Sequence, residues 1–314
     1  MKAPHIGKLA LASTLALAAA TSAQAQTAKD LTDDQATPGD VLTYGMGYAN
    51  QRYSTLKKID KGNVNKLVPV WNYSMNNSHG QESQPIIFDG VMYVTSHTAT
   101  MAIDPLTGRQ IWKQELEFAS DVFKMACCGL LNRGVAILNG KVYRTTLDAH
   151  VIAYDAKTGK QVWKQKAADY QDGHAMTAAP LIANGVLMTG IAGGEYGTRG
   201  FIDGWNPETG AKLWRFYTTA AGTEKGADTW PGDTAMKGGA PTWLTGAYDA
   251  DTTSSTGAPA TAVRGTPRRA RATTCTSARW SRSGRRQASW CGTTSSRRTT
   301  RTTTTPPKSA CWST

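Results

Sequence analysis

Short apolar segments separated by tight-turn residues recur along the middle of the chain, and this pattern predicts β-hairpins. Asp89-Gly90 separates two such segments, and Asn139-Gly140 separates two more. Dipeptides of this kind favour the two-residue turns that join antiparallel strands. No 3.6-residue apolar period, which would indicate an amphipathic helix, competes with this interpretation. The segments are residues 85–88, 91–94, 136–138 and 142–143.

A turn followed by a tryptophan occurs three times, as Asp/Asn-x-x-Thr-Gly-x-x-x-Trp. The copies run from Asp104 to Trp112, from Asp155 to Trp163 and from Asn206 to Trp214, and their tryptophans are 51 residues apart. A period of this length is typical of propellers and solenoids. About four hairpin-linked strands per repeat favour a propeller blade. We therefore predict an all-β propeller in which each repeated tryptophan packs between neighbouring blades.

Composition divides the chain near Asp251. Residues 252–314 contain no Asp, Glu, Ile, Leu, Met, Phe or Tyr, but they contain eleven Arg and one Lys. The net charge of the whole chain is +12, so residues 1–251 are neutral overall. The basic character belongs to the tail, which lacks the interleaved aromatic residues of a nucleic-acid site. We therefore expect no nucleic-acid partner. We also expect the tail to be disordered, because it has too little apolar surface to offset the entropy of ordering it.

The N-terminus has the pattern of a secretory leader. Lys2 and Lys8 supply a positively charged start, residues 9–20 are apolar, and Ala23-Gln24-Ala25 is a small-x-small cleavage motif. The apolar stretch is too short to span a bilayer, so no membrane span is predicted. An uncleaved leader acting as an anchor is the alternative. The predicted division is a leader (1–25), a propeller segment (26–251) and a tail (252–314).

Two adjacent cysteines, Cys127 and Cys128, are the only ones between the leader and the tail. A disulfide between neighbours closes a small strained ring, and strain of this kind clusters at functional sites. Such a short loop adds little stability, so a stabilising role explains it poorly. In an exported protein we expect the disulfide; two free buried thiols are the alternative.

Taken together, three features resemble the quinoprotein alcohol dehydrogenases. They are the Cys-Cys-x-x-x-Asn-Arg-Gly run that begins at Cys127, the Thr-Gly-x-x-x-Trp repeats, and residues 80–85 with the sequence GQESQP. The resemblance covers residues 44–251. It implies an eight-bladed β-propeller of the quinoprotein alcohol dehydrogenase type, with only the N-terminal blades present. It also implies a periplasmic enzyme that holds pyrroloquinoline quinone (PQQ) beside a metal ion, oxidises small primary alcohols and passes electrons to a cytochrome c.

The resemblance also implies roles for individual residues. The Cys127–Cys128 disulfide would lie against one face of PQQ and Trp243 against the other, because a planar cofactor needs flat walls. Arg133 and Glu82 would contact its carboxylates and ring oxygens. Glu195 would bind the metal, calcium or a lanthanide, through oxygen. Ala192 replaces a serine that many relatives have, which removes one cofactor hydrogen bond. The remaining cofactor-binding positions implied are Thr177, Gly193 and Gly194.

The tail has the composition of a GC-rich gene translated out of frame. A constant one-base shift turns residues 256–261 into YWGTGN and residues 299–307 into NDPYDYDAT, and it restores four family-like segments in order. We interpret this as a frame error near Thr252. The restored aspartates would be the catalytic base and an extra metal ligand, which slightly favours a lanthanide. Neither exists in this chain, so it has no catalytic residue of its own, and we expect the chain itself to be inactive.

Two other classes of function share some of these sequence features. An exported, non-catalytic propeller scaffold would share the tryptophan repeats, but it would have no use for Glu82, Arg133 and Glu195 beside the paired cysteines. PQQ binding distinguishes it from the enzyme. Binding of nucleic acid through the tail would reflect charge alone. The oligomeric state and the preferred alcohol are left open by the sequence.

Overall fold

Four antiparallel sheets of four strands follow one another along the chain in the computed structural model. The structure describes residues 25–126, 129–237 and 239–249, together with the backbone of strands at 254–256, 277–280 and 286–287. In every sheet the strands are hydrogen-bonded in the order in which they occur in the sequence. Consecutive meanders of this kind are propeller blades. The all-β prediction is therefore confirmed.

The strands are short, as expected for blades. Sheet 1 contains β1 (Ile86–Phe88), β2 (Val91–Thr95), β3 (Ala99–Ile103) and β4 (Gln110–Glu115). Sheet 2 contains β5 (Ala136–Leu138), β6 (Lys141–Thr145), β7 (His150–Asp155) and β8 (Gln161–Lys166). Sheet 3 contains β9 (Leu181–Ala183), β10 (Val186–Gly190), β11 (Phe201–Trp205) and β12 (Lys212–Tyr217). Sheet 4 contains β13 (Ala247–Asp249), β14 (Ser254–Thr256), β15 (Ser277–Trp280) and β16 (Arg286–Gln287).

Helical segments lie before the first strand or in the connections between strands. The α-helices are α1 (Ala28–Thr32), α2 (Val122–Met125) and α3 (Thr234–Lys237). Single 3₁₀ turns lie at Asp34–Ala36, Val64–Lys66, Tyr170–Asp172, Gly194–Tyr196 and Ala227–Thr229. In the described part of the chain, no helix has the length and apolar character needed to cross a membrane.

The first two strands of sheets 1, 2 and 3 are joined by two-residue turns with a left-handed backbone. In the sheet 1 turn, φ is 47° at Asp89 and 71° at Gly90. Positive φ at both central residues defines the type I′ turn, whose twist matches that of the flanking strands. The hairpins predicted from the Asp-Gly and Asn-Gly dipeptides are confirmed. The equivalent turns are Asn139-Gly140 and Asn184-Gly185.

The tryptophans of the first two repeats pack against the turn of the following sheet. Trp112 at the end of sheet 1 donates its indole N–H to the carbonyl of Ala156, at 2.9 Å. Its ring covers Gly159, where a Cβ atom would lie only 2.7 Å away. Trp163 makes the equivalent bond to the carbonyl of Pro207, at 3.1 Å. The predicted packing between blades is confirmed for Trp112 and Trp163, whereas the ring of Trp214 lies against Gly204 of its own sheet. The contact gives the glycine of the turn a second reason besides its positive φ.

Trp71 makes the same contacts although it lies outside the three recognised repeats. Its indole N–H donates to the carbonyl of Pro105, at 2.9 Å. Its ring lies 2.7 Å from where Gly108 would carry a Cβ atom. Trp71 therefore packs on the turn of sheet 1 in the same way as Trp112 packs on the turn of sheet 2. The chain on either side of it occupies the position of the outer strand of a preceding blade.

Some sequence predictions fall on residues that the structure does not describe. The leader up to residue 24, both cysteines of the predicted disulfide and most of the tail lie outside the described residues. Strands β14, β15 and β16 belong to the tail. In sheet 4, β14 pairs with β13, β15 with β14 and β16 with β15. The disorder and the frame error assigned to the tail as a whole stay predictions.

Candidate functional site

The connections that lead into the first strand of each sheet meet at one place. Glu82 precedes β1, Arg133 precedes β5, Thr177 precedes β9 and Trp243 precedes β13. The backbone links three of these connections, because the N–H of Gln84 donates to the carbonyl of Arg133 at 3.0 Å, and the N–H of Arg133 donates to the carbonyl of Thr177 at 2.9 Å. Equivalent positions in successive blades therefore converge on a common centre.

Arg133 joins the side chains of this centre. Its Nη2 lies 2.8 Å from Oε2 of Glu82, and its Nη1 donates to Oγ1 of Thr177 at 2.8 Å. The guanidinium carbon lies 4.7 Å from the ring centroid of Trp243. We call these four residues the Arg133 cluster. The structure thus brings together four side chains that the resemblance had assigned to one cofactor.

The chemistry of the Arg133 cluster suits a flat anion. A guanidinium offers a planar fork that matches a carboxylate, and Thr177 adds a hydroxyl. Trp243 supplies an aromatic face for stacking. The Arg133 side chain is 10% exposed, whereas that of Glu82 is 47% exposed, so the cluster is open on the side of Glu82. These residues fit the carboxylates and the plane of PQQ.

A buried amide holds the loop that carries Arg133. Asn132 accepts a hydrogen bond from Oγ1 of Thr95 at 2.7 Å and donates through Nδ2 to the carbonyl of Thr145 at 3.0 Å. Thr145 in turn donates through Oγ1 to the carbonyl of Ala178, the residue after Thr177, at 2.7 Å. Asn132 was part of the sequence motif, but only the contacts show that it fixes Arg133 between sheets 1, 2 and 3.

Arg144 adjoins Thr145, whose carbonyl accepts from Asn132, and it was not identified from the sequence. Its side chain is fully buried, and it donates to the carbonyls of Thr145, Ser96 and His97 at 3.1, 3.1 and 3.2 Å. It also donates to Oγ1 of Thr100 at 3.0 Å. Burial lowers the pKa of this guanidinium to about 10. An arginine in the middle of a strand has no motif that would distinguish it from a solvent-facing one.

Gly193 and Gly194 are required by the packing of the backbone. The φ of Gly193 is +113°, and a Cβ atom there would lie 2.0 Å from the carbonyl oxygen of Gly173. A Cβ atom on Gly194 would lie 2.8 Å from the ring of Pro241. The structure therefore gives both glycines a reason that involves no ligand. The cofactor contact that the resemblance assigned to them stays a prediction.

Glu195 follows Gly194, which packs against Pro241, two residues before Trp243. It is an exposed residue in the 3₁₀ turn Gly194–Tyr196. Among the described residues, no group of three or more His, Cys, Asp or Glu side chains is placed to hold a metal ion. Calcium takes six to eight oxygen ligands, so a single carboxylate does not make a complete site. The residues present do not by themselves fit the metal ion that the resemblance implies.

Comparison with protein families places most of the chain in one domain type. Residues 42–278 match the model described as PQQ, the β-propeller domain of glucose, ethanol and alcohol dehydrogenases. The match begins before sheet 1 and passes the change in composition near Asp251. It includes every residue of the Arg133 cluster and Glu195.

Several curated proteins are similar to this chain over most of its length. The quinoprotein alcohol dehydrogenase PedH of Pseudomonas putida is 40% identical over 243 residues, which is 71% of this chain and 40% of that protein. The quinoprotein ethanol dehydrogenase of Pseudomonas aeruginosa is 38% identical over 280 residues, covering 79% of this chain and 44% of the relative. The chain therefore spans about two fifths of the length of these relatives.

Solved structures show the same similarity in three dimensions. The quinohemoprotein alcohol dehydrogenase ADHIIG of Pseudomonas putida HK5 aligns with a TM-score of 0.71 and 35% identity, covering 74% of this chain and 36% of that one. A europium-containing methanol dehydrogenase aligns with a TM-score of 0.69 and 32% identity, covering 72% of this chain and 43% of that one.

Proposed function

The chain belongs to the PQQ β-propeller family of glucose, ethanol and alcohol dehydrogenases, and on that premise we propose that it forms the cofactor-binding part of an alcohol-oxidising quinoprotein. The proposed reaction converts a primary alcohol of the methanol or ethanol type into its aldehyde, with the loss of two electrons and two protons. The observation that carries the proposal is the meeting of Glu82, Arg133, Thr177 and Trp243 from four successive blades.

The Arg133 cluster would hold PQQ and keep it oriented. When bound, PQQ supplies the quinone that takes up the electrons removed from the alcohol. Arg133 would bind a cofactor carboxylate through its fork, and Thr177 would donate from its hydroxyl. Trp243 would stack against the ring plane, which keeps water off that face. Glu82 already accepts from Arg133, so it fixes the direction of the guanidinium.

This chain contains one candidate metal ligand and no candidate for the catalytic base. We propose that Glu195 is one ligand of a calcium or lanthanide ion, with a lanthanide slightly favoured. The europium-containing relative supports that order. The other ligands and the catalytic aspartate have no counterpart in the sequence after residue 251, where there is no carboxylate. The 314-residue chain is accordingly proposed to be inactive by itself.

The proposed setting is the periplasm. The leader pattern at residues 1–25 supports export, and the paired cysteines suit an oxidising compartment. A periplasmic cytochrome c is the proposed electron acceptor, since electrons must leave the reduced quinone before the next turnover. Both proposals come from the leader and from the family, and neither depends on the geometry of the Arg133 cluster.

The test separates cofactor binding from turnover. PQQ is titrated into the purified chain while quenching of tryptophan fluorescence is recorded, and dye reduction is measured with ethanol in the presence of calcium or a lanthanide. We expect saturable quenching without turnover for this chain, and turnover for a version in which the reading frame after Thr252 is restored and the remaining blades are added. Absence of quenching in both proteins would favour a non-catalytic scaffold, and turnover by this chain alone would refute its proposed inactivity.

A further inference from the structure

The side chain of Gln26 is buried without a hydrogen-bond partner. It is 1% exposed, and within the described part of the chain neither its Nε2 nor its Oε1 has a partner. Its own carbonyl accepts from the N–H of Asn139, at 3.1 Å, in the turn between β5 and β6. A buried primary amide that makes no hydrogen bond is unfavourable, so an intact glutamine side chain suits this place poorly.

The residues that follow Gln26 keep it in this place. The N–H of Thr27 donates to Oδ2 of Asp30 at 2.6 Å, and its hydroxyl donates to the same oxygen at 2.9 Å. This capping interaction begins helix α1 directly after Gln26. Leu31 of the same helix is 1% exposed and belongs to the largest core cluster. The backbone at Gln26 is therefore anchored on both sides, by the β5–β6 turn and by α1.

Export would make Gln26 the first residue of the chain. The small-x-small motif Ala23-Gln24-Ala25 predicts cleavage directly before it. Its α-amino group would then be a free ammonium beside a buried amide, and a charge close to a buried position is unfavourable unless water or a partner compensates it. An N-terminal glutamine has its amine and its side-chain amide carbon within five-membered-ring distance. The two unfavourable groups can therefore react with each other.

We propose that Gln26 is a modification site that closes to pyroglutamate after the leader is removed. The α-amine nitrogen attacks Cδ, the N–Cδ bond forms, the Cδ–Nε2 bond breaks, and ammonia leaves with the proton given up by the amine. No oxidant or cofactor takes part. The product has no charge and one N–H in place of the ammonium and the carboxamide, which suits the buried position against Asn139. The proposal depends on export and not on alcohol oxidation.

The test reads the N-terminus of the exported protein. The full chain with its leader is expressed, the periplasmic form is purified, and the chymotryptic peptide from Gln26 to Leu31 is analysed by mass spectrometry. An isotope-labelled synthetic peptide with intact glutamine, added before digestion, reports cyclisation during handling. We expect the native peptide to be lighter by one ammonia while the labelled peptide is unchanged. A native peptide with intact Gln26, or a chain that starts elsewhere, would overturn the proposal.

A second readout uses sequential degradation from the N-terminus. The native chain should give no sequence until pyroglutamyl aminopeptidase has treated the unfolded protein, after which the sequence should start at Thr27. The matched control is Gln26→Asn, which does not close to this ring and should give a readable sequence without the enzyme. A wild-type chain that is read directly from Gln26 contradicts the proposal, whatever the outcome of the PQQ titration.

Discussion

At the scale of single residues, Arg133 connects the structure to its proposed function. It is the one side chain of the described cluster that touches all three others, Glu82, Thr177 and Trp243. Its position is fixed by Asn132, whose amide is bonded to residues of sheets 1 and 2. Because the guanidinium is already oriented, little conformational entropy remains to be lost when an anion binds.

Replacing Arg133 by Gln should weaken PQQ binding by roughly tenfold to a hundredfold, since a hydrogen bond to a charged group is worth about 1.5–3 kcal/mol. The measurement is the titration of tryptophan fluorescence with PQQ. The matched control is Arg109→Gln, which removes an exposed arginine from a turn of sheet 1 and should leave the affinity unchanged. Equal affinities for R133Q and the wild type would show that the cofactor binds elsewhere.

At the scale of the elements, the contact between one blade and the turn of the next determines how the sheets pack. Trp112 and Trp163 both cover a glycine and donate to the backbone carbonyl three residues before it. The turn itself is held by its aspartate, since Oδ1 of Asp155 accepts from the backbone N–H of Thr158 at 2.8 Å. A local turn motif and a long-range packing contact therefore share the same few residues.

Gly159→Ala and Gly185→Ala separate these two roles. Both glycines have φ of +72°, but a Cβ atom at Gly159 would lie 2.7 Å from Trp112, whereas at Gly185 it meets nothing within 4 Å. We expect G185A to cost about 1–2 kcal/mol through its backbone alone, and G159A to cost about 1–3 kcal/mol more through overpacking. The measurement is the urea concentration at the midpoint of unfolding, compared between variants whose free energy of unfolding falls with the same slope in urea. Equal losses would mean that the tryptophan moves aside without cost.

At the scale of the whole molecule, Trp71 shows that the arrangement of blades extends beyond sheet 1. It docks on Gly108 as Trp112 docks on Gly159. Val68 and Val70 beside it are 74% and 83% exposed. The outer strand of a four-stranded blade pairs with one neighbouring strand, and a propeller without open edges supplies the rest of that blade by closing into a ring.

Hydrogen exchange tests this position of the segment around Trp71. In the 314-residue chain, the amides of residues 68–73 should exchange rapidly, because no strand pairs with them among the described residues. In a version extended by the remaining blades of a relative, they should be slowed by at least about tenfold, while strand β2 (Val91–Thr95) should be slow in both. Rapid exchange of residues 68–73 in the extended protein would contradict the assignment.

The sequence alone determined the local structure and the family. Turns such as Asn139-Gly140 are specified by two adjacent residues, because only a few residue types tolerate positive φ. The tryptophan period specified the blades, since each copy repeats the same local chemistry. The residues of the Arg133 cluster were identified by resemblance, as was Glu195, whose role as a ligand stays a prediction.

Only the tertiary structure decided which of these residues meet and what supports them. Arg144 has no motif; one of its four acceptors belongs to the next residue, Thr145, but the other three lie at residues 96–100, more than 40 positions earlier in the sequence. Trp71 lacks its own turn pattern, so it is identified only by the glycine that it covers. Gly193 and Gly194 acquire a packing role from Gly173 and Pro241. In each case the deciding contact is long-range, and a local pattern carries no information about which distant backbone will approach it.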